Sequence, residues 1–377
     1  MGLLYSLDYT KYEVDLQLYE NAGPYLGLIP PQVHLLPPAR RLSHNKLLGS
    51  LQRAARPSYW YHGVRAALAH RRYPNTLAAA QEAAYARARA SWKNPKVYDV
   101  AVGFMEMWPD AYVLTRVTAR KKIGWIHVDY PGAGLVKQVD EKPFSRFSQF
   151  VLVSGSCRRS FCETFPAYRD RAVSIENVIR SEAVRKRAGE AAPSIAKGGS
   201  ALLFGSVCRI EFRHKGLDRA LRIFSSLKKR GYLFQWHIIG GGADRQELDR
   251  LIEELDLREN VVLHGAKNNP LPYVKQFDVF LLPSRYEGKP MVVTEAQMLG
   301  VPAVVTNYAS AREQVSSGID GLVVENSEDG IEAGLRYVLD HPEQLERWRR
   351  NLAEKEWDCA GTIRQIDGLL GEGYDGS

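Results

Sequence analysis

Through the second half of the chain, short apolar runs rich in β-formers alternate with amphipathic segments of helical spacing. The runs are SALLFG (200–205), FQWHIIG (234–240), NVVLHG (260–265), DVFLLP (278–283), PAVVT (302–306) and GLVV (321–324). Between them, GLDRALRIFSSLKKRG (216–231) and ADRQELDRLIEELDL (243–257) carry apolar residues at helical intervals, and Gly231 closes the first. Strands apolar on both faces with helices between them predict a parallel sheet covered on both sides, a doubly wound α/β domain.

The first half repeats this logic more loosely, in YEVDLQLY (12–19), QVHLL (32–36), VYDVAVGF (97–104), KIGWIHV (122–128), FVLVS (150–154) and AVSIEN (172–177). Residues 180–200 are polar, alanine-rich and Gly-terminated, which fits a helix and linker. The expected organisation is therefore a first Rossmann-like domain over 1–179, a second over 180–355, and a C-terminal helical tail over 356–377 packing back on the first. Two doubly wound domains joined in this way would face each other across a cleft.

The length of 377 residues suits two domains, each with its own core. The N-terminus lacks a charged-then-apolar leader, and no apolar stretch has spanning length, so the expected location is the cytosol. Cys157, Cys162, Cys208 and Cys359 show neither a zinc spacing nor the density of a disulfide scaffold, and they are read as reduced and structural. The net charge of +8 is unevenly spread. Between Arg40 and Lys96, twelve Lys or Arg stand against the single acid Glu82, a local +11 that leaves the remainder at −3. Tyr59, Trp60, Tyr61, Tyr73, Tyr85 and Trp92 are interleaved with these cations, a mixture suited to peripheral contact with the inner face of an anionic membrane. An ordinary solvated helical face carries the same pattern, and no nucleic-acid motif accompanies it.

In doubly wound sheets, ligands bind outside the carboxyl ends of the strands. After DVFLLP comes the loop SRYEGKP and then a helix expected from Met291 to Gly300. This places Glu287 at a strand end and Glu295 in the early helical turns, with Gly288 permitting close backbone approach and Pro290 near the first helical position. The free amides of that helix start suit an anion, and a carboxylate accepts the vicinal hydroxyls of a ribose or hexose. Paired acids beside such a helix suggest a sugar nucleotide, although one Glu there is more often a dipole or capping residue. After SALLFG, Arg209 and Lys215 flank a loop in the manner of a pyrophosphate site. The GGG turn beginning at Gly240 allows close backbone approach, and His127 and Asp129 sit at a strand end in WIHVDY.

The ordered set Arg209, Lys215, GGG, LHG, Glu287, Glu295 and GLVV resembles the nucleotide-sugar-binding half of retaining glycosyltransferases of the GT-B fold. This large family (group 1, family 4 type) is marked by two glutamates separated by seven residues. The likeness is dense from about 200 to 340 and continues, more weakly, over 97–178. It is similar above all to bacterial enzymes of capsule, exopolysaccharide or lipopolysaccharide synthesis. The resemblance implies that Glu287 contacts the donor sugar, Glu295 the ribose, and Arg209 and Lys215 the departing diphosphate. It further implies that Gly240 and the segment Gly288, Lys289, Pro290 and Met291 line the donor site, and that His127 reaches the sugar from the first domain.

The activity implied by the resemblance is transfer of a hexose, UDP-linked, with retention, to a saccharide or lipid-linked saccharide, with no cofactor and no metal. Relatives begin with an apolar strand and a Gly-rich turn. Here Gly2 to Leu7 match the tail of the helix after that turn, and YEVDLQLY matches the second strand, so the first strand and Gly-rich loop are expected to be missing. Cys208 also stands where relatives carry Gly before the Arg. A nucleotide-binding product without catalysis is one alternative. A sugar-nucleotide epimerase is another, against which the glutamate spacing argues.

Overall fold

The computed structural model describes residues 1–23, 25–40, 57–74, 76–195 and 198–371, with backbone alone over 57–63. The chain divides into two compact units, Met1–Val178 with Ala360–Ser377, and Ile179–Cys359. Each is α/β.

The second unit holds one six-stranded sheet: β7 (Leu202–Val207), β8 (Phe234–Ile239), β9 (Val261–Gly265), β10 (Val279–Leu282), β11 (Ala303–Thr306) and β12 (Gly321–Val324). Every pairing is parallel, in the order β12-β11-β10-β7-β8-β9. The apolar runs show why. Along β10, Val279 and Leu281 join a core with Phe204, Trp236 and Trp348, whereas Phe280 and Leu282 join a second core with Leu203, Val293 and Val305. Successive side chains point to opposite faces, so a strand apolar at every position needs helices on both sides. The chain runs outward from β7 to β9, then returns to β10 beside β7 and runs the other way. The β7/β10 boundary is therefore the switch point where such sheets open a crevice.

The first unit contains two parallel sheets. One pairs β1 (Val14–Leu16) with β2 (Val33–Leu35); the other runs β3 (Val97–Gly103), β4 (Thr118–Ile126), β5 (Gln149–Leu152), β6 (Ala172–Ser174) in order. Side chains connect the two sheets. Tyr98 Oη on β3 donates to Asp15 Oδ2 on β1 at 2.7 Å, and Lys96 Nζ donates to the same oxygen at 2.9 Å. Parallel register sets Asp15 opposite His34. It thereby forms a group of candidate metal ligands that the sequence reading did not find, Glu13, Asp15 and His34, with ligand atoms within 4.8 Å of one another. The Lys96 ammonium already neutralises that group at Asp15.

An aromatic core of Phe144, Phe147, Phe150, Phe161 and Phe165 is fully buried in the same unit. The segment Gly2 to Leu7, expected as the tail of a helix, forms a single 3-10 turn, Leu4–Ser6. The C-terminal helix Ala360–Gly371 lies on this unit, where Asp367 receives Tyr12 Oη at 2.8 Å and Lys11 Nζ at 3.1 Å. All four cysteines are free. Within the basic segment 40–96, residues 41–56 and the side chains of 57–63, including Tyr59, Trp60 and Tyr61, lie outside the described residues.

Candidate active site at the switch point of the second unit

β10 ends at Leu282, and the next five residues carry the loop that delivers Glu287 to the switch point. Glu287 is buried, yet its carboxylate is held as an ion. Lys215 Nζ and Ser284 Oγ both donate to Oε1 at 2.6 Å, and His214 Nε2 lies 3.3 Å from Oε2, off hydrogen-bond geometry. Burial pushes the Glu287 pKa up, but the His214 and Lys215 side chains outweigh it and keep the group below the usual glutamate value. The His214 ring also stacks on Tyr286, 4.3 Å between centroids and 1° from parallel.

This loop is clamped from the helix Leu217–Lys229. Arg219, itself buried, donates to the carbonyls of Pro283 at 2.8 Å and Ser284 at 3.2 Å and to Asn326 Oδ1 at 2.6 Å. Arg285 forms a two-pronged pair with Asp218, both contacts 3.0 Å. Planar guanidinium forks suit this task because one side chain orders several acceptors at once. Just before that helix, Gly216 takes φ +63°, and a Cβ there would lie 2.2 Å from the Pro283 carbonyl oxygen. Only glycine lets the Lys215 turn approach the Glu287 loop this closely.

Glu295 is the fifth residue of the helix Met291–Met298, whose N-cap is Pro290. Burial pushes its pKa up, partly offset by Arg187. The two glutamates, one on the loop after β10 and one on the helix that follows it, thus stand in opposite electrostatic settings.

The other residues singled out by sequence take up varied places. Lys215 meets Glu287, whereas Arg209, with its side chain 70% exposed, reaches Glu211 at 3.4 Å. Gly240 lets the GGG turn close on the β7 loop, since a Cβ would sit 1.8 Å from the Cys208 carbonyl oxygen. The loop is held there by Cys208 N–H to Ile239 O at 3.1 Å and Ile210 N–H to Gly241 O at 2.9 Å. Burial raises the Cys208 thiol to about 12, so it packs as a neutral group. Gly288, Lys289, Pro290 and Met291 lead into the Glu295 helix. His127 belongs to the first unit, one residue beyond β4, and burial with the positive amino terminus lowers its pKa to about 4.

Sequence reasoning missed His214, Ser284, Tyr286, Asp218 and Arg219. The contacts of His214, Tyr286, Asp218 and Arg219 span more than sixty residues, and the local signals were the adjacency of His214 to Lys215 and the position of Ser284 three residues before Glu287.

Residues 187–355 match the family Glycosyl transferases group 1, a span that covers nearly all of the second unit. The putative colanic acid biosynthesis glycosyltransferase WcaL of Salmonella typhimurium is 35% identical over 192 residues, 47% of this chain and 47% of that protein. The N-acetylgalactosamine-N,N'-diacetylbacillosaminyl-diphospho-undecaprenol 4-alpha-N-acetylgalactosaminyltransferase of Campylobacter jejuni is 34% identical over 144 residues, 37% and 38% of the two chains. The chain spans less than half the length of these curated relatives. Among solved structures, Anabaena Alr3699/HepE in complex with UDP and glucose superposes with a TM-score of 0.66 at 14% identity, over 98% of this chain and 95% of that one.

Proposed function

We propose, from the premise that the Ile179–Cys359 unit is a group 1 glycosyl transferase domain in a chain of GT-B fold, that the protein transfers a hexose from a UDP-sugar. The acceptor would be a saccharide or lipid-linked saccharide of a bacterial surface polysaccharide. The observation that carries this reading is Glu287, a buried carboxylate at the switch point held ionised by Lys215, with Glu295 on the next helix. An ionised carboxylate in a fixed orientation accepts sugar hydroxyls, and Glu295 faces the ribose. UDP bound to HepE supports the choice of nucleotide.

In this reading the anomeric C–O bond to the diphosphate breaks while the acceptor hydroxyl bonds to the same face of that carbon, and its proton passes to the departing phosphate oxygen. Configuration is retained without a glycosyl-enzyme, so Glu287 is no nucleophile. Arg209, exposed at the surface, and Lys215, released from Glu287 by the arriving donor, take the diphosphate charge together with the amides of Gly288, Lys289 and Met291. Pro290 sets the entry of that helix, and Gly240 keeps the loop bearing Arg209 in place. The charge is met without calling on a metal ion. His127, whose ring is neutral at physiological pH, is read as a partner for a sugar hydroxyl.

Thermal unfolding of the full chain against UDP, GDP, ADP and CMP tests this. At about 100 times its dissociation constant a ligand stabilises the fold by roughly 2.7 kcal/mol. UDP alone should raise Tm, and Glu295→Ala or Arg209→Ala should abolish the rise; no shift with any nucleotide sinks the reading.

We also propose peripheral membrane contact through the basic segment. Among the described residues no helix is long and apolar enough to cross a membrane. On the helix Pro57–Arg72, however, Val64 and Leu68 are more than half exposed one turn apart, and His70, Arg71 and Arg72 close its last turn. Apolar side chains beside cations in this way suit an anionic lipid surface.

A further inference from the structure

The carboxyl ends of β3 and β4 in the first unit gather polar atoms that the fold leaves without partners. β3 stops at Gly103, and the next turn reaches the helix Trp108–Arg116 through Met107 at φ 73° and ψ −117°. A non-glycine residue in such a conformation persists only where its surroundings over-determine it, and such positions concentrate at ligand sites. The two residues at the tip face solvent, Phe104 39% and Met105 49% exposed. The Phe104 ring leans on Trp125 at 5.0 Å and edge-on to His127 at 4.7 Å, which fixes its plane.

Glu106 turns inward beneath this ledge. Its Oε2 receives the main-chain N–H of His127 at 3.0 Å, and burial pushes its pKa up against that bond. Three ring nitrogens around the turn, Trp108 Nε1, Trp125 Nε1 and His127 Nε2, are buried with no hydrogen-bond partner among the described residues. Both oxygens of Asp110, one helical turn on, are in the same condition. Buried polar atoms are almost always paired, by protein, water or ligand, so this concentration at strand carboxyl ends marks a place built for a polar guest.

Acids gather here, with Glu106 and Asp140 both acting electrostatically on Asp110. That disfavours phosphate and favours a neutral polyhydroxyl molecule. An aromatic ring and a thioether beside a fixed carboxylate match a pyranose, whose C–H face is apolar and whose edge carries hydroxyl donors.

We propose that the Phe104–Trp108 turn is a saccharide-binding subsite, in which Glu106 accepts from a ring hydroxyl while Phe104 and Met105 cover an apolar face of the sugar. Its assignment to the acceptor side rests on the glycosyltransferase reading above; sugar binding itself does not. His127 serves the subsite through its main chain by aiming Glu106.

Saturation-transfer NMR on the full chain, with methyl glycosides of glucose, galactose, mannose, N-acetylglucosamine and N-acetylgalactosamine at millimolar concentration, tests it. At least one glycoside should receive saturation from the wild type, and Glu106→Gln and Phe104→Ala should each weaken that binding about tenfold or more. The UDP-induced rise in Tm should be unchanged in both variants. Phe104 is a surface residue, so its variant decides the matter even where Glu106→Gln disturbs the turn. No saturation of any glycoside by the wild type, or signals that survive in both variants, overturns the subsite. A wild type that shows Glu106-dependent sugar binding without a UDP response keeps the subsite and removes its assignment to an acceptor.

Discussion

Replacing Lys215 by Met separates the charge at the candidate donor site from its packing. The Lys215 side chain is 13% exposed and that of Glu287 7%, so the pair is nearly desolvated. Removing one partner of a buried ion pair costs about 3–5 kcal/mol, because the other charge stays buried and uncompensated. Ser284 still donates to Oε1 and His214 still faces Oε2, which places the expected loss near the low end, about 3 kcal/mol. For a unit of this size that is a fall in Tm of roughly 6–12 °C.

The pH dependence gives the discriminating sign. Glu287 has a folded pKa below its ordinary 4.5, so its ionised form stabilises the fold above that value, and the contribution is lost as pH falls through the depressed folded pKa. In Lys215→Met a depressing charge is gone and burial lifts the pKa, so the variant takes up its proton earlier. Urea unfolding followed by circular dichroism should therefore show the full deficit at pH 7 and a smaller one at pH 4.5. The double variant Lys215→Met/Glu287→Gln, with no charge to bury, should recover most of the loss at pH 7. A deficit under about 1 kcal/mol at pH 7, far below the cost of a broken buried pair, would refute this reasoning, as would an equal deficit at both pH values.

Two further outcomes concern the first unit. Asp110 is buried without a partner, and burial, then the charges of Glu106 and Asp140, raise its pKa well above the usual value; the fold holds its neutral form and loses stability as pH climbs above 3.8. Asp110→Asn should accordingly stabilise the fold at pH 7 by about 1 kcal/mol or more, seen as a higher Tm, with the gain vanishing near pH 4; equal melting of the two proteins at pH 7 would show that the carboxylate is compensated. Wild-type chain should co-sediment with phosphatidylglycerol-containing vesicles at low salt and release at high salt, and Val64→Asp with Leu68→Asp should weaken that binding; no sedimentation at low salt ends the membrane proposal.

All twelve runs contain strands, and the pattern is plainest in the second unit, where β10 and β11 are buried at every position and so must be apolar nearly throughout, whereas β1 and β2 are short and only partly buried. β4 shows where the pattern stops. The strand begins at Thr118, four residues before its apolar run, since its first half alternates exposed and part-buried residues as it pairs with β3. Lys122 in that stretch donates to the carbonyls of Val113 and Val117 at 2.9 and 2.7 Å, so a polar residue serves packing there. The clamp on the Glu287 loop was illegible for a different reason. Arg219 and Pro283 are 64 positions apart, and an arginine in the first turn of an amphipathic helix looks like any solvated cation until the sheet order brings β7 beside β10. Glu106 was within reach. The rule that ligands gather at strand ends applied to VYDVAVGF as well as to DVFLLP, and MEMWPD even carries two acids four residues apart, Glu106 and Asp110, but no cation or glycine turn beside them drew attention to the segment.

The eight-residue interval between the glutamates acquires its sense from what surrounds each. A strand end with a short entry to a helix carries the chain from the loop, where cations converge, to a helical turn, where they do not. Glu287 is held as an ion by Lys215, and a cation committed to a carboxylate is available to a diphosphate only if the carboxylate finds other donors at the same moment. Sugar hydroxyls are such donors. Arrival of the donor would exchange Lys215 from Glu287 to the phosphate while Glu287 turns to the sugar, so the desolvation already spent on the pair is reused in the bound state. Glu295 has no such exchange to make. Burial raises its pKa with Arg187 opposing, so in the proposed reading each hydroxyl donated to it would stabilise a charge that its protein surroundings support poorly. The coupling has a consequence for affinity: Glu287→Gln frees Lys215 and should leave UDP binding intact or tighter, whereas Glu295→Gln should weaken it.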